Sequence, residues 1–251
     1  MESIKHLIFG IIRFSFLMAV AVAVTASKQA AAEVLIDDFT GDKGTTASLL
    51  FGGTNPNFES LIAPSAIGGV RAYKAFVDEG SDVTARTLQG RYTHSTDDLS
   101  LGSTMITWDG DTNASNIDFD GLGGISLEPG PDRGFRITIV SFDNAFGRTA
   151  DVIFTVYDAS SATGQKFSRG KLTLDQPYLN KKVVLPFSAL TTAGPGGSAD
   201  LNNVGAITME VVNGLDVNGL PAYSIDLSLD MIEAGCINLD PQGVSLCPTA
   251  T

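Results

Sequence analysis

Ile225-Asp226-Leu227-Ser228-Leu229-Asp230-Met231 alternates apolar and polar residues without a break. Successive side chains of an extended strand point to opposite faces. Ile225, Leu227, Leu229 and Met231 therefore fall on one side, and Asp226, Ser228 and Asp230 on the other. The stretch reads as a strand with one face in a core and one in water. The same pattern recurs upstream. Phe135, Ile137 and Ile139 alternate with Arg136, Thr138 and Val140, and Ile207, Met209 and Val211 alternate with Thr208, Glu210 and Val212. The run from Val152 to Tyr157 is denser in β-formers and reads as a strand at a sheet centre. Further extended runs are 34–39, 70–77, 83–88, 91–95, 104–108, 165–174 and 182–185.

Turn signals separate these runs: Gly52-Gly53, Asp109-Gly110, Gly123-Gly124, Gly130-Pro131, Gly164 and Gly194-Pro195-Gly196-Gly197. No segment beyond residue 32 keeps a helical apolar period over a dozen residues. Short strands with a turn signal roughly every 8–12 residues predict an all-β chain, an antiparallel two-sheet β-sandwich or jelly roll. The Gly/Pro-rich stretch 193–199 is too short for a domain boundary. One sandwich domain over residues 33–235 is expected, followed by a C-terminal tail over 236–251.

The first 32 residues have a different character. Lys5, His6 and Arg13 precede an apolar run from Phe14 to Val24, and Ala30-Ala31-Ala32 precede Glu33. That order predicts a secretory signal peptide, residues 1–32, cut after Ala32. The apolar run is short of the ~20 residues that span a bilayer. The expected product is secreted, extracellular or periplasmic, with no membrane anchor in the mature chain. Removing the segment leaves 13 basic and 27 acidic side chains, so the net charge moves from −12 to −14. Such a surface repels a phosphate backbone, which argues against nucleic acid as a partner.

Cys236 and Cys247 are the two cysteines. In an oxidising compartment they are expected to close a short disulfide loop, with Pro241 and Gly243 shaping its reversal.

Several phrases, in order, resemble a group of secreted bacterial proteins of the PEP-CTERM-associated type. They are Val34-Leu-Ile-Asp-Asp-Phe39, Gly68-Gly-Val-Arg71, Trp108-Asp-Gly110, Leu185-Pro-Phe-Ser-Ala-Leu190, Val204 to Glu210 and Ser224 to Ile232. The chain departs from that group in lacking a Pro-Glu-Pro and hydrophobic tail, so membrane-routed sorting is not expected. The opening Asp-Asp-Phe and closing Leu-Asp-Met-Ile are also similar to the ends of galactose-binding-like jelly rolls, including carbohydrate-binding modules. That resemblance implies two sheets with the first and last strands adjacent. It further implies a structural Ca²⁺ shared by an acid on the first strand and one on the last, here Asp38 and Asp230. Asp37 and Asp38 face opposite sides of a strand, so only one can turn to a given ion.

Other chemistry is sparse. Asp109 to Asp120 partly matches a calcium loop, but Ala114 stands where glycine is needed and the last ligand is Asp instead of Glu. Trp108, the single tryptophan, ends a strand beside a turn and is a candidate for stacking on a sugar ring. His94, the only histidine beyond residue 32, has no visible catalytic partner and is expected at the surface. No Gly-x-Ser-x-Gly elbow occurs. The reading is a secreted non-catalytic sandwich that binds extracellular polysaccharide or matrix. A structural matrix component without soluble ligand, and a polysaccharide-degrading enzyme, are the alternatives.

Overall fold

The computed structural model describes residues 33–50, 53–143 and 147–238. The expected signal peptide and Cys247 lie outside these residues. The strands are β1 (Val34–Asp37), β2 (Lys43–Ser48), β3 (Asn57–Ile62), β4 (Val70–Glu79), β5 (Asp82–Leu88), β6 (Arg91–Thr96) and β7 (Leu101–Trp108). They continue with β8 (Arg133–Phe142), β9 (Ala150–Asp158), β10 (Phe167–Leu174), β11 (Tyr178–Pro186), β12 (Thr191–Thr192), β13 (Val204–Asn213) and β14 (Asp226–Cys236). Helical structure among the described residues is limited to short 3-10 turns such as Ile67–Gly69 and Phe187–Ala189. No helix there is long and apolar enough to cross a membrane.

The strands form two seven-stranded antiparallel sheets, packed as a sandwich of jelly-roll type. The first runs β11-β8-β14-β6-β5-β2, with β1 also paired to β14; the second runs β12-β10-β9-β13-β7-β4-β3. The first and last strands are therefore neighbours, with Val34 opposite Ala234. The β-dense run 150–158 lies inside the second sheet, between β10 and β13. Both β2 and β3 escape a sequence reading. Lys43-Gly-Thr-Thr-Ala-Ser48 has almost no apolar side chain to alternate, and Asn57–Ile62 is an edge strand whose residues are nearly all half-buried.

Alternation positions most of the core. Phe154, Val156, Ile207, Met209, Ile106 and Tyr73 from the second sheet meet Tyr92, Phe135, Ile137, Leu227 and Leu229 from the first, all buried. Phe135 and Phe154 stack across the interface with ring centroids 4.3 Å apart. Burying each such side chain contributes about 1.5–3 kcal/mol.

Period two breaks where β14 bulges. Leu229 pairs with Ile139 but Met231 pairs with Thr138, so Asp230 has no partner opposite it. A bulge inserts one residue and moves the following side chains to the other face. Ile232 and Ala234 thereby turn inward, while Met231, expected in the core, is only half-buried. A second irregularity in β1 places both Ile36 and Asp37 inside.

The hairpin between β5 and β6 has the tightest loop. Leu88 pairs with Arg91 across Gln89 and Gly90, which both have positive φ (54° and 73°). That is the two-residue geometry matching strand twist, and glycine adopts it without a Cβ penalty.

Candidate functional site

The two outer faces of the sandwich differ in chemistry. On the first sheet Thr46, Thr84, Ser95, Asp226, Arg86, Thr93 and Ser228 face out, and Thr46 pairs with Thr84 and Ser95 with Asp226 at hydrogen-bond distance. Tyr178, at the edge, sits opposite Phe142 and shares that buried residue's inward side. Among the described residues, the outward set of this face is mainly hydroxyl and charge, with the exposed Leu179, and includes no aromatic ring.

The second sheet presents rings. Its register aligns Phe167 with Tyr157, and Lys171-Ile153-Glu210-Met105-Lys74-Phe58 as one row across six strands. The next row along the strands is Arg169-Thr155-Thr208-Thr107-Ala72-Ser60. Tyr157 packs against Phe167 and against Phe119, with centroids 5.5 and 5.0 Å away. Burial raises the Tyr157 hydroxyl pKa. Arg169 donates from Nε to Thr155 Oγ1 (3.2 Å) and lies 3.5 Å from Glu210. Lys171 pairs with Asp151 at 2.9 Å.

Two hollows lie over these rows. One, of about 290 Å³, is bounded by Phe58, Lys74, Met105 and Thr107 on the sheet and by Ser115, Asn116 and Phe119 of the loop above it. The other, of about 450 Å³, lies beside Ile153, Arg169, Lys171, Ala189 and Thr191. Thr208 and Glu210 of β13 occupy the strand between β7 and β9, so both hollows open on one face.

The wall of the smaller hollow, the loop after β7, is held from below by Asp109. Its buried carboxylate accepts the amides of Asp111 (3.1 Å) and Asp118 (2.8 Å). Burial pushes its pKa up. At Gly121 a Cβ would stand 1.9 Å from the Asp109 carbonyl oxygen, so only glycine permits this approach. Two of the loop's amides are thus tied to Asp109, and the Ser115 hydroxyl donates to Asn113 Oδ1 at 2.8 Å. The partial calcium-loop match is a polar β-loop between strands.

Trp108 is corrected. Its ring is fully buried, and its indole N–H donates to Asp37 Oδ2 at 2.7 Å. The bulge in β1 brings Asp37 inside, where it also receives Arg71 Nε at 2.6 Å and a second, short contact from the same guanidinium. A ring sealed in this network has no face to offer a ligand. His94 is also corrected: it is fully buried, with Nδ1 2.8 Å from Thr104 Oγ1 and no hydrogen bond at Nε2.

Asp38 follows the end of β1 and Asp230 lies on the neighbouring β14, each in different surroundings. Asp38 Oδ1 accepts the Thr40 amide (3.0 Å) and hydroxyl (2.9 Å) and the Ser65 hydroxyl (2.6 Å). Burial opposes but does not outweigh these bonds, and the Asp38 pKa lies below the ordinary value. Asp230 is exposed at the β14 bulge. Among the described residues no three His, Cys, Asp or Glu side chains form a group suited to a metal ion. Cys236 is buried at the end of β14, with its expected partner outside the described residues.

Sequence reasoning missed Phe58, Lys74, Phe119, Arg169 and Glu210 as one surface. Thr208 and Glu210 had been placed on the polar side of β13, but only the order of strands brings them beside Arg169 and the rings.

No family model matches the chain, and no curated protein is similar to it in sequence. Solved structures with a similar arrangement include a family 11 carbohydrate-binding module from Clostridium thermocellum in complex with a β-1,3-1,4-mixed-linked tetrasaccharide. It shows 12% identity and a TM-score of 0.37, covering 82% of this chain and 99% of that one. A metagenome-derived glycoside hydrolase family 12 endoglucanase has 9% identity and a TM-score of 0.36, over 78% and 99%. A DUF4465 family protein from Bacteroides caccae has 9% identity and a TM-score of 0.34, over 81% and 99%. At these values no residue role passes from any of them to this chain, and the resemblance to PEP-CTERM-associated proteins rests on its sequence phrases alone.

Proposed function

We propose that the protein is exported and binds polysaccharide, without catalysis, on the outer face of its second sheet. The observation that carries this reading is the contrast between the two outer faces. Among the described residues, only the second combines aromatic rings (Phe58, Tyr157, Phe167 and Phe119) with outward donors and acceptors such as Arg169 and Glu210. Sugar rings offer apolar C–H faces and hydroxyl edges, and that mixture matches them. The non-catalytic part of the reading has its own support. Glycoside hydrolysis employs one carboxyl group as an acid beside a second carboxylate. Here Glu210 and Asp151 are each held in an ion pair, with Arg169 and Lys171, and not opposite one another as a carboxyl pair.

The test is affinity electrophoresis and calorimetry with purified residues 33–251 against soluble neutral and acidic polysaccharides, including that of the producing cells. Binding is expected, and Phe119→Ala or Arg169→Ala weakens it by about tenfold or more, as for a central contact residue. Failure to bind any polysaccharide removes the reading and favours a structural matrix role. Release of reducing ends that Glu210→Gln abolishes would replace it with an enzyme. Export is checked separately, by a mature mass beginning at Glu33.

A further inference from the structure

We infer that the hollow under the loop after β7 receives a negatively charged sugar unit, with Lys74 as the group that selects it. This rests on the glycan-binding reading above and narrows it to one class of sugar.

Lys74 stands on β4 between Phe58 of β3 and Met105 of β7, facing out of the sheet. It is the one charged side chain that lines the hollow; the rest of the lining is aromatic, aliphatic, hydroxyl or amide. The other outward cations on these rows are already matched, Arg169 by Glu210 and Lys171 by Asp151. Lys74 forms no ion pair with a described residue. Arg86, Arg91, Lys181 and Lys182 form no ion pair with a described residue either, but none of them lines this hollow. The carboxylate that Lys74 lacks is one that a ligand can bring. The acidic remainder of the molecule does not cancel this preference. Charges are screened over ~8 Å at physiological salt, so the local set decides what enters. Phe58 and Phe119 give the sugar ring apolar contact, while Thr107, Ser115 and Asn116 offer partners for its hydroxyls. A uronate carboxylate and a sugar sulfate share the required chemistry.

The experiment compares polygalacturonate, carrageenan and a neutral mixed-linkage β-glucan by titration calorimetry. Wild type is expected to bind one anionic polymer about tenfold more tightly than the β-glucan, as a charge-assisted contact would give. Lys74→Gln erases that preference, Lys74→Arg keeps it, and about 0.5 M NaCl suppresses it. Which anionic polymer wins assigns carboxylate or sulfate. Equal affinity for charged and neutral polymers, or a preference that survives Lys74→Gln, overturns the inference and leaves glycan binding standing. Binding to none of the three overturns the inference, and the glycan reading falls with it only if the wider panel, including the polysaccharide of the producing cells, also shows no binding. Lys74 points away from the core, and an unchanged melting curve verifies that each variant is folded.

Discussion

His94 lies between the sheets where its charged form has no water. Burial pushes its pKa from 6.5 to about 4. The unfolded chain therefore binds a proton over a range in which the folded chain does not. The contribution is intact above pH 6.5 and is lost as pH falls toward 4, amounting to about 3 kcal/mol. Urea titrations at pH 7 and pH 4 measure it: wild type loses that much more stability than His94→Gln on acidification. Equal losses would contradict the assignment. Arg71 poses the opposite problem, a permanent charge with its partner equally buried. Replacing it with methionine leaves the buried Asp37 carboxylate without its cation, with only the Trp108 indole and the Phe39 amide as donors, at a cost of about 3–5 kcal/mol. Denaturation of Arg71→Met and of the Arg71→Met/Asp37→Asn pair checks this, since the double variant should recover part of the loss.

At the scale of elements, the loop after β7 depends on one carboxylate. Asp109→Ala removes the acceptors for the Asp111 and Asp118 amides, and hydrogen exchange at those two positions should accelerate while the β7 amides stay protected. Polysaccharide affinity should fall several-fold with it. Most strands are legible because their apolar residues alternate: 82–88, 91–96 and 226–229 show one buried and one more open face, whereas 133–137 and 204–209 are buried on both faces. The alternation carries no notice of a bulge, so Met231 was misplaced and Asp37 was not recognised as a core residue. Trp108 and His94 deceived for a related reason. Polar atoms on large side chains read as surface markers until Asp37 and Thr104 are found beside them. The candidate binding face was hidden more deeply. Phe58, Lys74 and Met105 stand more than 40 positions apart in sequence at their extremes, and only the pairing of β3, β4 and β7 makes them one surface.

For the molecule as a whole, two measurements concern what ties the sandwich together. A Cys236–Cys247 bridge would make reductant lower the stability by about 3 kcal/mol, and mass spectrometry of the alkylated protein checks that it forms. The structural Ca²⁺ implied at Asp38 and Asp230 is tested with chelator: a melting temperature that falls in wild type but not in Asp230→Ala supports the ion, and one unmoved in both removes it. The place of β14 has a consequence of a different kind. Along one side it meets β8, and along the other it meets β6 and then β1. These 11 residues, made after every other strand, fill the middle of their sheet. A nascent chain cannot close that sheet until β14 has been made, so contacts of the widest sequence separation come last and folding is slow. A polypeptide that stays open so long is suited to threading through a narrow translocation channel before it collapses. A truncation before Asp226 leaves its two half-sheets with nothing to join them.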